Sequence, residues 1–304
     1  MGLKVKIISA LKKYAPLFIY YGKRIKKIFK KIKLEKKRRN NQIITKERLI
    51  ADLQKIGIQQ GDNVIIHTSL SKIGYLENAA KTFVDAILEV IGPAGNLIAP
   101  CFSHDTFSKY YLDSNPVFDV NNSPSKAGAI TEYLRKLKGT KRSLHPTDSA
   151  CAYGPLAEYF TDTHFGQLTP YNEFSPYYKL VEKNGKILNV GVPLNTSCTN
   201  LHTLEDAVDF KFPIYHSRIY DVKIIDEKGI QRSMKTKVHD PVFSQKRKPD
   251  DMIPLFEKEK ILQHGNVGES SATLIDAKKL LDVMIKNYYE SGVTMYTPFG
   301  EKKN

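Results

Sequence analysis

The stretch CTNLHTLED, residues 198–206, carries a histidine and a glutamate three positions apart, His202 and Glu205. On a helix, that spacing sets both side chains on one face. A carboxylate so placed fixes an imidazole in one tautomer and raises its basicity, the part an acid plays in a catalytic triad. Asp206 falls off that face. Taken alone, the pair also reads as a surface charge pair near a helix start. It further reads as two ligands of a metal site for which spacing supplies no third. Cys198, just upstream, has the chemistry of a nucleophile, but one cysteine among scattered histidines fits a packed thiol better.

Two other stretches hold polar chemistry. RSLHPTDS, 142–149, sets His145 directly before a proline that fixes the backbone beside it. His145 offers a base, Arg142 and Ser143 could hold an anion, and Asp148 could orient an imidazole or cap a helix. An isolated His-Pro also suits a plain turn. HTSLSKIG, 67–74, follows an apolar run, and Ser69 and Ser71 are donors of the kind that receive anions at a strand's carboxyl end. It is neither a Walker loop nor a GxGxxG fingerprint, and an ordinary strand-to-loop turn accounts for it equally. His104 and His164 sit in loop-like sequence that could line a cleft. His216, His239 and His264 have no neighbours that suggest a role.

The surrounding periodicities say what must position these groups. TKERLIADLQKIGI predicts an amphipathic helix capped by Thr45. NVIIHTSL, 63–70, is short and apolar enough for a buried strand, a helix is predicted over 79–91, and NLIAPCF follows as a second buried strand. Strand, helix, strand is the signature of a parallel α/β unit. Residues 126–138 predict another helix and KILNVGV, 186–192, another core strand. LHTLEDAV, 201–208, opens a helix. Residues 218–238 predict a hairpin turning at DEKG. TLIDAKKLLDVMIKNYYE predicts a closing helix. No internal repeat is present.

The 304 residues give length for one large domain or two modest ones, and 41% hydrophobic with 26% charged residues is ordinary for a globular chain. Cys101, Cys151 and Cys198 are widely spaced with no CxxC, which argues against a zinc knuckle or redox dithiol and for buried thiols in a reducing compartment. The net charge of +15 is concentrated: residues 1–39 hold 15 of the 47 Lys and Arg and one acid, Glu35. The remaining positions carry 32 bases against 31 acids and are nearly neutral. The basic segment, residues 1–42, contains no apolar run near the ~20 residues that span a bilayer, and no convincing signal peptide. Ile25, Ile28, Phe29 and Ile32 recur in it at helical spacing among lysines. Such an arm suits an anionic membrane surface, a solvated tail or, less well, a nucleic-acid backbone.

The order HTSLSKIG, GNLIAPCFS, NNSPSKAGAITEYLRKLKGTKRSLHPTDSACAYGPLAEYF, FSPYYKLVEKNGKILNVGV, CTNLHTLEDAV closely resembles the aminoglycoside 3-N-acetyltransferase family, which is distinct from the GNAT acetyltransferases. The resemblance covers roughly residues 43–300. It implies an α/β protein, a three-layer αβα sandwich of that family's type, preceded here by a basic N-terminal helical arm at 1–42 with the acetyltransferase domain at 43–304. It implies acetyl-CoA as cosubstrate, no metal, and direct attack by a primary amine of an amino sugar. By the same resemblance, Thr68, Ser69, Leu70, Ser71, Arg142 and Ser143 are expected along the coenzyme. His202, Glu205 and His145 are the catalytic candidates, with the base assigned to His202 because Glu205 is local to it. Asp119 and Thr199 are expected to meet the substrate.

Two departures bear on the acceptor. Cys198-Thr199 replaces the family's Asn-Thr before the His-x-x-Glu, with one extra residue upstream. The nearly neutral body lacks the acidic excess that favours a polycationic aminoglycoside. With the arm, this leads to the expectation of a nucleotide- or lipid-linked amino sugar of bacterial surface-polysaccharide assembly, handled in the cytoplasm or at the inner face of the cytoplasmic membrane. Aminoglycoside resistance is the alternative with the same chemistry. A non-catalytic protein that docks a membrane or a glycosyltransferase is the alternative of another class.

Overall fold

The computed structural model describes residues 42–301 and, before them, residues 25, 28, 29, 32 and 34–40. Ten strands occur among these residues: β1 Asn63–Thr68, β2 Asn96–Pro100, β3 Val117–Asp119, β4 Lys141–Arg142, β5 Ala150–Tyr153, β6 Lys186–Val190, β7 Tyr220–Ile225, β8 Gln231–Thr236, β9 Leu262–Val267 and β10 Ser270–Asp276. Seven of them form one sheet in the order β4-β5-β2-β1-β6-β10-β9. Its centre, β2-β1-β6, is parallel, and both flanks are antiparallel. β1 and β2 are joined through the helix Ala80–Ile91, the predicted crossover unit.

The central strands are apolar on both faces because both faces are covered. Along β1, Val64 and Ile66 enter one core and Ile65 the other. The first core is closed by helices Lys46–Lys55, Ala80–Ile91 and Ala129–Lys136 through Leu49, Leu53, Phe83, Ile87 and Leu134. The second is closed by helices Pro176–Glu182 and Ala277–Ser291 through Tyr177, Leu180, Leu280 and Met284. The result is the three-layer αβα sandwich.

Local chemistry sets the element ends. Thr45 Oγ1 accepts from Arg48 N at 3.2 Å, the predicted cap. The expected closing helix starts later than its periodicity suggested: Thr273–Asp276 belong to β10, and Asp276 caps the helix by accepting from Lys279 N at 2.9 Å. β3, β4, β5 and β9 have no counterpart in the sequence reading. β7 and β8 form the expected hairpin, turned by Asp226 Oδ1 accepting from Lys228 N and Ile230 N. They pair with β3 in a second, three-stranded sheet, β3-β7-β8.

Of the basic arm, Ile25, Ile28, Phe29 and Ile32 are helical and exposed, and Lys37 ion-pairs with Glu269. Residues 34–39 are helical as well, and residues 1–24, 26, 27, 30, 31, 33 and 41 of the expected arm lie outside the described residues. Among the described residues, no helix is long and apolar enough to cross a membrane.

Candidate active site

The chain leaves β6, makes a 3-10 turn at Thr199–His202 and continues as the helix Thr203–Ala207. This brings His202 and Glu205 onto one face, and His202 Nδ1 donates to Glu205 Oε2 at 2.9 Å. Two residues from distant segments join them. His239, held beside Tyr215 by an isolated β-bridge, donates from Nε2 to the same oxygen at 2.7 Å. Tyr296, beyond the last helix, donates to Oε1 at 2.6 Å.

Glu205 is buried. Burial alone would raise its pKa, but the His202 and His239 rings outweigh this and hold the carboxyl well below the ordinary range. The carboxylate fixes the His202 tautomer: Nδ1 carries the proton and Nε2 keeps the lone pair. Burial pushes His202 down to about 4, opposed by Glu205 and reinforced by Arg247. The ring is therefore a neutral free base at pH 7.

Aromatic rings fix the imidazoles in place. Tyr171 stacks on His202 at 4.7 Å and 18°, and Tyr215 on His239 at 5.0 Å and 9°. Both phenols are anchored: Tyr171 donates to Asp148 Oδ1 at 2.8 Å, and Tyr215 to Asp206 Oδ1 at 2.9 Å. Thus Asp206, off the His202–Glu205 face, acts on the second histidine's stacking partner.

The donor atoms of His202, Glu205 and His239 lie within 4.8 Å of one another, so a third metal-ligand type does exist where spacing showed none. Yet the two imidazoles aim N–H groups at the carboxylate. A metal bound by those nitrogens would have to displace both protons.

His145 is not brought into this cluster. It is fully buried, its Nδ1 accepts from Asp148 N at 3.3 Å, and its Nε2 meets Thr236 Oγ1 at 3.2 Å. Burial pushes it down to about 4. It stacks on His164 at 4.5 Å, and His164 in turn bridges Ser143 Oγ and the Pro170 carbonyl. His145 therefore supports the Asp148 turn that anchors Tyr171 and lies buried, apart from the His202–Glu205 cluster.

Arg142 and Ser143 make their hydrogen bonds within the protein. Arg142 Nε donates to Ser149 Oγ, Nη1 to the carbonyls of Val120 and Ser123, and Nη2 to the Cys101 carbonyl and Ser103 Oγ. All five N–H groups are committed within the protein. Ser143 is buried, with Oγ shared between His164 and Ala150 N.

Thr68, Ser69, Leu70 and Ser71, at the end of β1, are half-buried. Ser69 N donates to the Val190 carbonyl at 2.9 Å, tying the loop to β6, while Leu70 packs half-buried on the core. Ser71 follows in the short Leu70–Ile73 helix. Thr68 and Thr199 line one cavity of about 90 Å³ with His67, Thr131, Thr196 and Ser197. His67 is pushed down to about 3 by burial, and its Nε2 has no hydrogen-bond partner. Both Asp119 carboxylate oxygens accept within a turn, from Asn121 N and the Asn122 amides. Cys198 is buried and pushed up to about 12 by that burial, which removes it as a thiolate nucleophile.

Sequence reasoning missed His239, Tyr296, Tyr171, Tyr215 and Arg247. None has a local motif. His239 is 34 positions from Glu205 and Tyr296 is 91, so only the tertiary fold pairs them.

The αβα sandwich thus presents an imidazole braced by a buried carboxylate, His202 against Glu205, and a cavity lined by the hydroxyls of Thr68, Thr131, Thr196, Ser197 and Thr199. The family model for aminoglycoside 3-N-acetyltransferases matches residues 65–288, and the chain belongs to that family. It is 35% identical over 178 residues to aminoglycoside N(3)-acetyltransferase III of Salmonella sp, covering 54% of this chain and 61% of that protein. It is 32% identical over 181 residues to aminoglycoside N(3)-acetyltransferase IX of Micromonospora chalcea, covering 55% and 64%. These matches thus span less than two thirds of either relative.

Solved structures align over more of the chain. Aminoglycoside acetyltransferase AAC(3)-Xa superposes with a TM-score of 0.72 at 27% identity, covering 86% of this chain and 98% of that one. AAC-IIIb, in a binary complex with CoASH, gives 0.68 at 26%, covering 80% and 96%. AAC-VIa bound to sisomicin gives 0.68 at 27%, covering 81% and 98%.

Proposed function

We propose that the protein is an acetyl-CoA-dependent N-acetyltransferase acting on a primary amine of an amino sugar. The observation that carries the reading is the His202–Glu205 contact, which leaves His202 Nε2 as a lone pair held in one direction. A sugar ammonium is no nucleophile. It reacts as the free amine, its ammonium proton left to solvent, and gives up a second proton within hydrogen-bond reach of a neutral imidazole as the C–N bond forms. Glu205, held by His239 and Tyr296, keeps its charge to stabilise the imidazolium that forms. The cavity at Thr68 and Thr199 suits the coenzyme: hydroxyls and the unpartnered His67 Nε2 match the amides of a pantetheine chain. Acetyl-CoA supplies the activated thioester, and the chain's part is to place amine and donor together.

For the acceptor, the relatives support an aminoglycoside better than a surface-polysaccharide precursor, since a family member of the same fold has been solved with sisomicin. The precursor reading rests on the near-neutral body and the arm alone. Mass spectrometry of products formed from acetyl-CoA and a panel of aminoglycosides, nucleotide-linked amino sugars and free amino sugars tests both. Acetylation of the aminoglycosides alone removes the precursor reading, and no product from any amine removes the enzyme.

Attachment to an anionic membrane at the cytoplasmic face is a separate reading, supported by the exposed Ile25, Ile28, Phe29 and Ile32 among Lys and Arg. Flotation with phosphatidylglycerol vesicles tests it. Equal flotation of the full chain and a chain lacking residues 1–39 removes it.

A further inference from the structure

Arg247 lies in the loop after the Pro241–Ser244 helix and is half-buried. Its Nη1 stands 3.3 Å from His202 Nε2, the ring nitrogen that Glu205 leaves free. Its Nη2 donates to Ser244 Oγ at 2.6 Å. Its Nε is buried and has no hydrogen-bond partner. No ion pair formed by the described residues includes it. A guanidinium so enclosed, with an N–H unsatisfied and no carboxylate against it, is poised for an anion.

Geometry selects which anion. An amine that gives its proton to His202 Nε2 must lie about 3 Å from it. The acetyl carbon it attacks is one bond from that amine, and the acetyl oxygen one bond further. This oxygen therefore enters the immediate neighbourhood of Nη1. No comparable tie fixes any other substituent of the acceptor there.

Resting on the acetyl-transfer reading, we propose that Arg247 is a catalytic residue that receives the negative charge developing on the acetyl oxygen. In the resting site Nη1 occupies the lone pair of the base. As the acceptor docks, its N–H takes that position and the guanidinium turns its donors to the oxygen. The C–N bond forms as the carbonyl π pair moves to oxygen, and the amine proton passes to His202 Nε2. The oxygen pair then returns, the C–S bond breaks, and the departing coenzyme sulfur takes the proton from His202. A preorganised cation at that oxygen acts only as charge develops, which is where stabilisation raises kcat.

The test uses the full-length protein with Arg247→Gln and Arg247→Lys, each checked for folding by thermal melting. Arg247→Gln lowers kcat by about 10²–10³-fold while both KM values move only a few-fold, and Arg247→Lys recovers part of the loss. In the free protein, an NMR titration of His202 shows a higher pKa in Arg247→Gln, because a cation beside the ring has been removed. Unchanged kcat in folded Arg247→Gln overturns the proposal. So does a raised acceptor KM at constant kcat, which assigns Arg247 to acceptor binding. A rise in kcat also overturns it, leaving only a cap on the base. An unchanged His202 titration refutes the contact itself. A parent protein that acetylates no amine removes the transfer reading and the proposal together, whereas an active parent with an indifferent Arg247→Gln removes the proposal alone.

Discussion

His202 and His239 bind the same atom: each directs an N–H at Glu205 Oε2, at 2.9 and 2.7 Å, with their rings 4.7 Å apart. One carboxylate oxygen thus orients two imidazoles, and Tyr296 holds the other oxygen. The three donors leave Glu205 no reason to accept a proton, so it acts as a fixed charge rather than as a relay.

Glu205→Gln replaces an acceptor of three hydrogen bonds with an amide that has only one acceptor atom. His202 loses its tautomeric bias, and kcat is expected to fall about 10²–10⁴-fold. Free coenzyme A release under saturating acetyl-CoA measures it. A fall below tenfold would show that the brace does not matter.

Tyr296→Phe removes the donor to Oε1 but leaves both histidine contacts intact. A hydrogen bond to a buried charge is worth about 1.5–3 kcal/mol. Urea unfolding is expected to show a loss in that range, with kcat reduced far less than by Glu205→Gln.

Four buried imidazoles are held neutral: His67 at about 3, His145 and His202 at about 4, and His164 well below its ordinary value, in each case with burial as the leading cause. Their folded pKa values lie below the unfolded ~6.5. Acidification therefore adds protons to the unfolded chain first, and each group removes stability as pH falls from about 6.5 toward 4, by about 1.4 kcal/mol per pH unit at its steepest. Thermal melts are expected to be flat near pH 7–8 and to drop sharply below about pH 6. A melting temperature constant from pH 7 to 5 would contradict the neutral burial.

Cys198→Ala is expected to keep most of the activity, because the thiol is buried and held protonated. Intact-mass measurement of the parent after incubation with acetyl-CoA alone should show no added acetyl group. A stable +42 Da species on the peptide containing Cys198 would instead establish a covalent route.

The local part of the site could be read directly from the chain. His202 and Glu205 sit one helical turn apart, and a three-residue spacing is sufficient to imply their contact. The short apolar runs NVIIHT and NLIAP marked the buried parallel strands, because two covered faces force continuous apolar sequence. β5 and β9 escaped for opposite reasons. The four residues ACAY are too few to display a period, and LQHGNV is polar because it forms the sheet edge. The internal partners of Arg142 were not legible, because an arginine that donates to carbonyls looks, in sequence, like one waiting for phosphate. His239, Tyr296 and Arg247 reach Glu205 and His202 only through tertiary packing, which no short-range pattern encodes.

Arg142 has a wider consequence. From β4, on the edge of the large sheet, it reaches the Val120 and Ser123 carbonyls just past β3 and lies over the Phe118 ring at 4.7 Å. This side chain therefore helps fasten the small sheet to the large one, alongside the contact of Thr236 in β8 with His145. His239 follows three residues after the end of β8, so it is the small sheet that delivers the second imidazole to Glu205. Loosening that fastening, as in Arg142→Met, would let the two halves of the proton-handling group drift apart before either sheet melts. Turnover would then report the mechanical state of a joint that contains none of the reacting atoms.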